Sequence, residues 1–447
     1  MLNKIFTYKI FLLIFVFTIF LISFGSLLRH HYIGGKNFTF LQNVAVFFAE
    51  IPSRSISMIK YGVNLNKIQT LNKHQDKKKI EHFTNNKRNA LLVLPRYDFG
   101  LSRSVVEIID LKNFEVVHTY KNDIQNMNDQ IKNFDYFPRL NIDHSPIRFR
   151  YNHPLIFEDG SLISFYGPMY KIDFCSKLEW INEKNIFHHS QMIDHEGNIL
   201  IGGQVRPASK YIKEMYDINN YIDDSIVKVN LEGKIISNKS VTEILIENNI
   251  IPKNFALISV QSNNTDPIHL NDIEPVFKNT KYWKKGDLFL SIRNQSSIIH
   301  YRPSNNKVVN YITGPFAQQH DVDILSDKEI TIFNNNNFIK DNETSEIIIY
   351  NFETNKFKKL FNEQLKQDNF KTNTEGLSHI FEDGALLVEE QNHGRIILYD
   401  NKGKKELEFV NKDNKGNITL VGWSRIIEDQ NLIRKYKLLV KNKKCIN

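Results

Sequence analysis

From Ala90 onward, short runs of β-branched and other apolar residues alternate with turns rich in Asn, Asp, Gly and Lys. Such runs, bounded by turn formers, predict buried strands rather than helices. Six units can be laid out. Ala90 to Tyr120 holds Ala90-Leu-Leu-Val-Leu94 and Val105-Val-Glu-Ile-Ile-Asp110; His153 to Trp180 holds Gly160-Ser-Leu-Ile-Ser-Phe165 and Met169-Tyr-Lys-Ile-Asp173. His189 to Ser240, His269 to Gly314, His320 to Phe361 and Glu375 to Val410 repeat the order of polar start, turn, buried strand and second strand. A third strand follows each pair, as in Lys402-Gly-Lys-Lys-Glu-Leu-Glu-Phe409. One blade cannot cover both faces of its own sheet, so blades must stack on neighbours, and closing the ring protects the edges. The fold class predicted is all-β, a six-bladed β-propeller over residues 90–447; a two-sheet sandwich with a second domain is the alternative. Asn355 to Lys366 reads as an amphipathic helix within this body, and Ile418 to Val440 as the strand or cap that closes the ring.

Before Ala90 the pattern differs. Ile10 to Leu28 is free of charge and dominated by Phe, Ile and Leu, enough for about one bilayer crossing at ~1.5 Å per residue. Lys4 and Lys9 precede it, Arg29 and Lys36 follow, and no Ala-x-Ala-like site lies before Arg29. Residues 1–36 therefore read as an uncleaved N-terminal signal anchor, a transmembrane helix with the body on the extracytoplasmic side. Residues 37–89 read as a partly helical linker: Val44 to Tyr61 suits an amphipathic helix, and Asn64 to Asn89 is rich in Lys, Asn and Gln.

Composition adds little chemistry. The net charge of +8 comes from lysines scattered along an Asn/Ile/Lys-rich background, without the arginine–aromatic interleaving of a nucleic-acid groove. No nucleic-acid partner is expected, while a basic face near anionic lipid stays open. Two cysteines, Cys175 and Cys445, exclude a disulfide framework and a Cys-rich metal site; one bridge between them stays open.

The histidines carry the site. His153, His189, His269 and His320 stand in one recurring frame: each of the last three reaches an isoleucine four residues on, and His153 reaches one after three. In a propeller the start of the innermost strand lies at one mouth of the central channel, so equivalent positions converge there. Imidazole can act as nucleophile or general base near neutral pH. Glu375, which opens the sixth unit, is expected at the same mouth, with His379 out of register and structural. On the isoleucine register, His189 is preferred to His188.

Phe187-His-His-Ser-Gln-Met-Ile-Asp-His-Glu-Gly-Asn-Ile-Leu200 resembles the His-His and Gly-Asn unit of bacterial arylsulfate sulfotransferases. His269-Leu-Asn-Asp-Ile273 with Leu290-Ser-Ile-Arg-Asn-Gln-Ser296 resembles that family's His-x-Asn and Ser-Arg-x-Gln-Ser pair. Gln318-Gln-His-Asp-Val-Asp-Ile-Leu325 with Thr331-Ile-Phe-Asn-Asn335 resembles the Gln-His unit that carries its nucleophile. The fragments occur in family order over roughly residues 90 to 430. The resemblance implies a six-bladed propeller and a ping-pong reaction in which an aryl sulfate sulfates a histidine and a phenol accepts the group. It implies that His320 is the sulfated residue and that Arg293, His269 and His189 hold the sulfuryl oxygens. Asn271 and Asn334 are then expected to bind substrate alongside His153 and Glu375. Asn294 departs from the pattern, standing where the family has another histidine.

That chemistry needs neither metal nor cofactor, and the absence of a Gly-rich phosphate loop argues against a nucleotide sulfate donor. Two other readings compete: a membrane-anchored, non-catalytic propeller that binds a partner or glycan, and a zinc enzyme using three histidines. The expected partners are a small aryl sulfate, a phenol and the membrane; oligomeric state is not legible.

Overall fold

The computed structural model describes residues 2–32, 37–57, 70–84, 88–137, 140, 145–215, 221–250, 266–337 and 344–445. Among these residues the apolar runs become strands of five antiparallel sheets in a propeller-like, all-β body. The first sheet is built from Leu91–Asp98, Arg103–Asp110 and Glu115–Tyr120, with Arg425–Ile427 added at its inner edge. Two more four-stranded sheets run from Leu270–Pro275 to Lys307–Thr313 and from His320–Ile324 to Lys356–Leu360. A five-stranded sheet runs from Leu377–Ile380 to Lys405–Val410 and takes Ile80–His82 as its outer strand.

These are four separate blades, and the expectation of six is corrected. The units starting at His153 and His189 run together in one seven-stranded sheet, because Leu178–Ile193 stays extended for 16 residues. Its first part pairs with Gly167–Ile172 and its second with Ile199–Gln204. The polar Asn182 to Asn185 stretch does not break the strand, because its side chains find backbone partners. Asn182 Nδ2 donates to the Gly233 carbonyl (2.7 Å), and Asn185 Oδ1 accepts from Gln204 N–H (2.8 Å).

Packing follows the stacking logic. Trp283, Phe289 and Ile298 of one blade meet Val322, Ile330 and Ile348 of the next. Phe333 and Ile347 meet Leu386 and Ile397, and Leu92 and Leu94 meet Leu387 and Ile396 across the closure. Within the seven-stranded sheet, Leu155, Ile163 and Phe165 pack on Ile199, Ile201 and Val227. Each such side chain, fully buried, contributes about 1.5–3 kcal/mol against its exposed state.

Both flanks of the body join it. Arg425–Ile427 pairs with Leu91–Val93, as expected of the closing segment, and Gln430–Asn442 is a helix. Cys175 and Cys445 are disulfide-bonded, which ties the end of this helix to the seven-stranded sheet. The expected helix Asn355 to Lys366 is instead the strand Lys356–Leu360 followed by a short helix, Asn362–Gln367. Residues 70–84, placed by sequence in the solvated linker, pack on the last blade: Ile80–His82 pairs with Leu407–Phe409. Residues 64–69 and 85–87 of that linker, and 58–61 of the helix expected to reach Tyr61, lie outside the described residues. Toward the N-terminus, helices span Leu2–Tyr32 and Thr39–Ser57, and Tyr8–His31 is long and apolar enough to cross a membrane, with its surface uncovered by the body.

The 70–84 segment is fastened by charge. Glu390, fully buried, accepts from His74 Nε2 (2.8 Å), Lys73 Nζ (2.5 Å) and Arg395 Nε (2.6 Å). Burial raises the Glu390 pKa, but His74, Arg395 and Lys73 outweigh it and hold the carboxyl down at about 2 against the usual 4.5. The stability this carboxylate contributes is complete above 4.5 and is lost as pH falls toward 2. Glu390→Gln should cost about 3 kcal/mol at neutral pH, and the deficit against wild type should shrink on acidification. Denaturant unfolding of both proteins at neutral and acidic pH checks this.

Candidate active site

The inner strands lie side by side around the axis, Leu270–Pro275 packing between Leu178–Ile193 and His320–Ile324. Their starts share a distortion. His153, His189, His269 and Glu375 all hold positive φ, at 40°, 64°, 53° and 58°, and in the unit that starts at His320, Asp321, at 42°, follows that histidine directly. Strand register shifts at the same places, between His188 and Gln191, Leu270 and Asp272, and His320 and Val322. A left-handed residue other than glycine costs about 1–2 kcal/mol, so the surroundings must impose it. A buried acid from one sheet supplies the restraint on the next. Leu270 N–H donates to Asp224 (2.7 Å), Val322 N–H to Asp272 (2.7 Å) and Ser378 N–H to Asp321 (2.8 Å). Glu389 completes the series by accepting from Ser424 N–H (3.1 Å).

This shared bulge brings the imidazoles together. The ring centroids of His189 and His269 are 4.8 Å apart, and those of His189 and His320 are 6.2 Å apart. His320 is buried, and its tautomer follows from its neighbours. Asn335 gives both amide protons away, to the Thr372 carbonyl (3.0 Å) and the Glu375 carbonyl (2.8 Å). Its Oδ1 must therefore accept from His320 Nδ1–H (2.6 Å). Nε2 is then the unprotonated nitrogen, and it accepts from Glu375 N–H (3.1 Å). Burial first, then the charges of Arg293 and His269, push the His320 pKa down to about 3, so the ring is neutral at any physiological pH.

Arg293 opens the turn Arg293–Gln295, which docks beside His269 through Arg293 N–H to the His269 carbonyl (3.1 Å). Its guanidinium donates to Asn294 Oδ1 (2.9 Å) and to Gln318 Oε1 (3.3 Å), two residues before His320. Burial lowers its pKa, partly offset by Asp266. His269 donates from Nδ1 to Asp266 (2.5 Å).

The other expected site residues divide. Glu375 reaches the cavity through its backbone. His153 sits one ring back: it stacks on Trp423 (5.3 Å, 15° between planes), and Trp423 lies 6.2 Å from His320. Asn271 Nδ2 donates to the Gln319 carbonyl (2.8 Å), bracing the residue before His320 rather than facing the cavity. Asn334 is structural: its Oδ1 accepts from Ala317 and Asn336 N–H, and its Nδ2 donates to Glu346. The neighbouring Asn335 holds His320 instead. His379 pairs with Glu428 (2.9 Å), outside the cage. Sequence reasoning also missed Asp266 and Trp423, and it passed over His188, which touches His189 from behind.

Beneath the histidines the channel turns acidic. Asp272, Glu274, Asp321 and Asp323 are gathered near Arg425, which donates to the Pro154 carbonyl (2.9 Å). Burial raises Asp272 to about 7 and Asp323 to about 6, and raises Glu274 and Asp321 well above the carboxylate range. Of these acids, Asp272 and Asp321 serve the backbone staples described above. Among the described residues, no three His, Cys, Asp or Glu side chains are grouped to hold a metal ion.

No curated protein matches the chain. Among solved structures, a protein of unknown function from Bacteroides caccae is 12% identical with a TM-score of 0.47, covering 76% of this chain and 100% of its own. A virginiamycin B lyase from Staphylococcus aureus is 12% identical with a TM-score of 0.32, covering 59% and 71%. At those scores neither likeness carries an argument. The family model described as arylsulfotransferase (ASST) matches residues 154–412, which span more than half of the chain and include His189, His269, Arg293, His320 and Asn335. The chain belongs to the arylsulfotransferase family.

Proposed function

We propose that this chain transfers a sulfuryl group from an aryl sulfate to a phenol by a ping-pong route through a sulfohistidine at His320. The observation that carries the reading is the fixed, neutral tautomer of His320: Asn335 occupies Nδ1, so the lone pair of Nε2 is the nucleophile. The Glu375 N–H now resting on Nε2 gives way as that nitrogen attacks sulfur. Charge in transit spreads over the equatorial sulfuryl oxygens, and donors already aimed there stabilise it without reorganising. Arg293 brings a permanent charge and a planar fork suited to an oxyanion. His269, braced by Asp266 at Nδ1, turns Nε2 toward the same oxygens. His189 serves the bridging oxygen, whose phenolate must leave. His153 and Trp423 form an aromatic wall suited to an aryl group.

The Cys175–Cys445 disulfide and the apolar Tyr8–His31 helix support an anchored protein whose body lies in an oxidising, extracytoplasmic compartment such as a periplasm. The anchor lies within residues 1–36, and the catalytic body begins near residue 70, since residues 70–84 belong to the last blade.

Incubation with 4-nitrophenyl sulfate tests the reading. Nitrophenolate release should rise with added phenol, and phenyl sulfate should accumulate in step with it. No release, with or without acceptor, would leave a binding propeller in its place.

A further inference from the structure

We propose that Asp224, His188 and His189 form a proton relay that ends at the leaving oxygen of the donor; the direction of proton flow rests on the sulfotransfer reading above. His188 lies behind His189 in the same strand, Leu178–Ile193, and the two rings meet edge-on with centroids 5.0 Å apart. Their Nδ1 atoms are 2.8 Å apart, so one of the two must carry a proton and the other a lone pair. His188 Nε2 donates to the Gly203 carbonyl (3.1 Å) and lies 3.3 Å from Asp224 Oδ1. A ring that donates from Nε2 and also from Nδ1 is an imidazolium. Donation from His188 Nδ1 makes His189 Nδ1 the acceptor and leaves the His189 proton on Nε2, in the ring that packs against His269 and His320.

The charges around His188 favour that form. Burial opposes a charge on it, but Asp224, the Gly203 carbonyl and Asp266 together outweigh burial, and its pKa is raised. The groups facing it are Asp224 from Asp224–Val229, Asp266 ahead of Leu270–Pro275, and His189 on its own strand, with His269 beyond. The fit is tight: a Cβ at Gly202, its register partner, would stand 3.0 Å from His188 Cε1. Asp224 is itself buried and fixed by Leu270 N–H (2.7 Å), so the relay is built into the staple between two sheets.

The proton count closes. In the first half-reaction His320 Nε2 bonds to sulfur and the sulfur–oxygen bond breaks, its electron pair leaving on the phenolate oxygen. That oxygen takes the His189 Nε2 proton while His189 Nδ1 takes the His188 Nδ1 proton. His189 ends neutral in its other tautomer, and His188 ends neutral with its proton on Nε2. In the second half-reaction the acceptor phenol gives its proton to His189 Nε2, the relay runs backward, and the acceptor oxygen takes the sulfuryl group as the sulfur–nitrogen bond breaks.

Two measurements on the full chain in detergent decide it. In nitrogen NMR of isotope-labelled histidine, His188 should be doubly protonated at neutral pH in wild type and lose one proton in Asp224→Asn, where the amide oxygen can still accept from Leu270 N–H. A neutral His188 in wild type overturns the relay whatever the activity. In kinetics, His188→Gln should slow phenyl sulfate, whose phenolate is a poor leaving group, by about 10²-fold, the scale of general acid catalysis. It should slow 4-nitrophenyl sulfate by less than about 10-fold, since the nitro group already accommodates the negative charge. Equal slowing of both donors would make His188 merely structural and reject the relay. A wild type that transfers nothing, with His188 ionised as described, would instead sink the sulfotransferase reading and leave the Asp224–His188–His189 ionisation standing.

Discussion

His320→Ala abolishes sulfuryl transfer and leaves no covalent intermediate to trap. The expectation follows from where the lone pairs are. His320 alone among the caged histidines is buried, held neutral near a pKa of 3, and fixed by Asn335 in the tautomer that leaves Nε2 unprotonated. His189 is joined to His188 through Nδ1, and His269 to Asp266, so neither presents the same neutral, oriented nitrogen. Losing the nucleophile of a covalent route removes the route, and the remaining donors have nothing to stabilise. Steady-state turnover with donor and acceptor checks the loss. Retention of even a tenth of wild-type activity would place the nucleophile elsewhere.

Arg293→Ala should lower the transfer rate by about 10²- to 10³-fold, the range for deleting one preorganised oxyanion donor. The nucleophile remains, so the variant should still become labelled, more slowly. Arg293 has no carboxylate within ion-pair distance among the described residues, and its bonds to Asn294 and Gln318 are to neutral oxygens. Its charge is thus uncommitted until an anion arrives, while its field already depresses the His320 pKa. Removing it should let that pKa climb somewhat, a change in the wrong direction for rescuing nucleophilicity at low pH. Arg293→Lys should recover only part of the loss, because an ammonium cannot reproduce the fork. Single-turnover rates separate this from a folding defect. Equal rates for Arg293→Ala and wild type would remove the arginine from the chemistry.

How much of this was legible in the sequence depends on what sets each side chain's direction. The histidine frame could be read because the same strand-start bulge recurs, and a repeated backbone distortion aims residues the same way. Choosing between neighbours could not be done without register. Asn334 ends a strand and Asn335 follows it, so their side chains leave on different sides, and the motif names both. His188 and His189 pose the same problem, and here both positions matter. The seven-stranded sheet was hidden because Asn182 to Asn185 have turn-like composition, satisfied by partners up to 51 residues away. Lys73 and His74 read as solvated linker because Glu390, their buried partner, lies more than 300 residues on. Cys175 and Cys445, separated by 270 residues, offer no local sign that they meet.

The central claim is that His320 carries the group in transit. Protein mixed with an aryl sulfate in the absence of acceptor, quenched under conditions that preserve labile nitrogen–sulfur bonds and digested, should show the added mass of one SO₃ on the peptide containing His320. Added phenol should discharge it at the rate of turnover. The same mass on the peptide of His189 or His269, or its persistence in His320→Ala, would contradict the assignment.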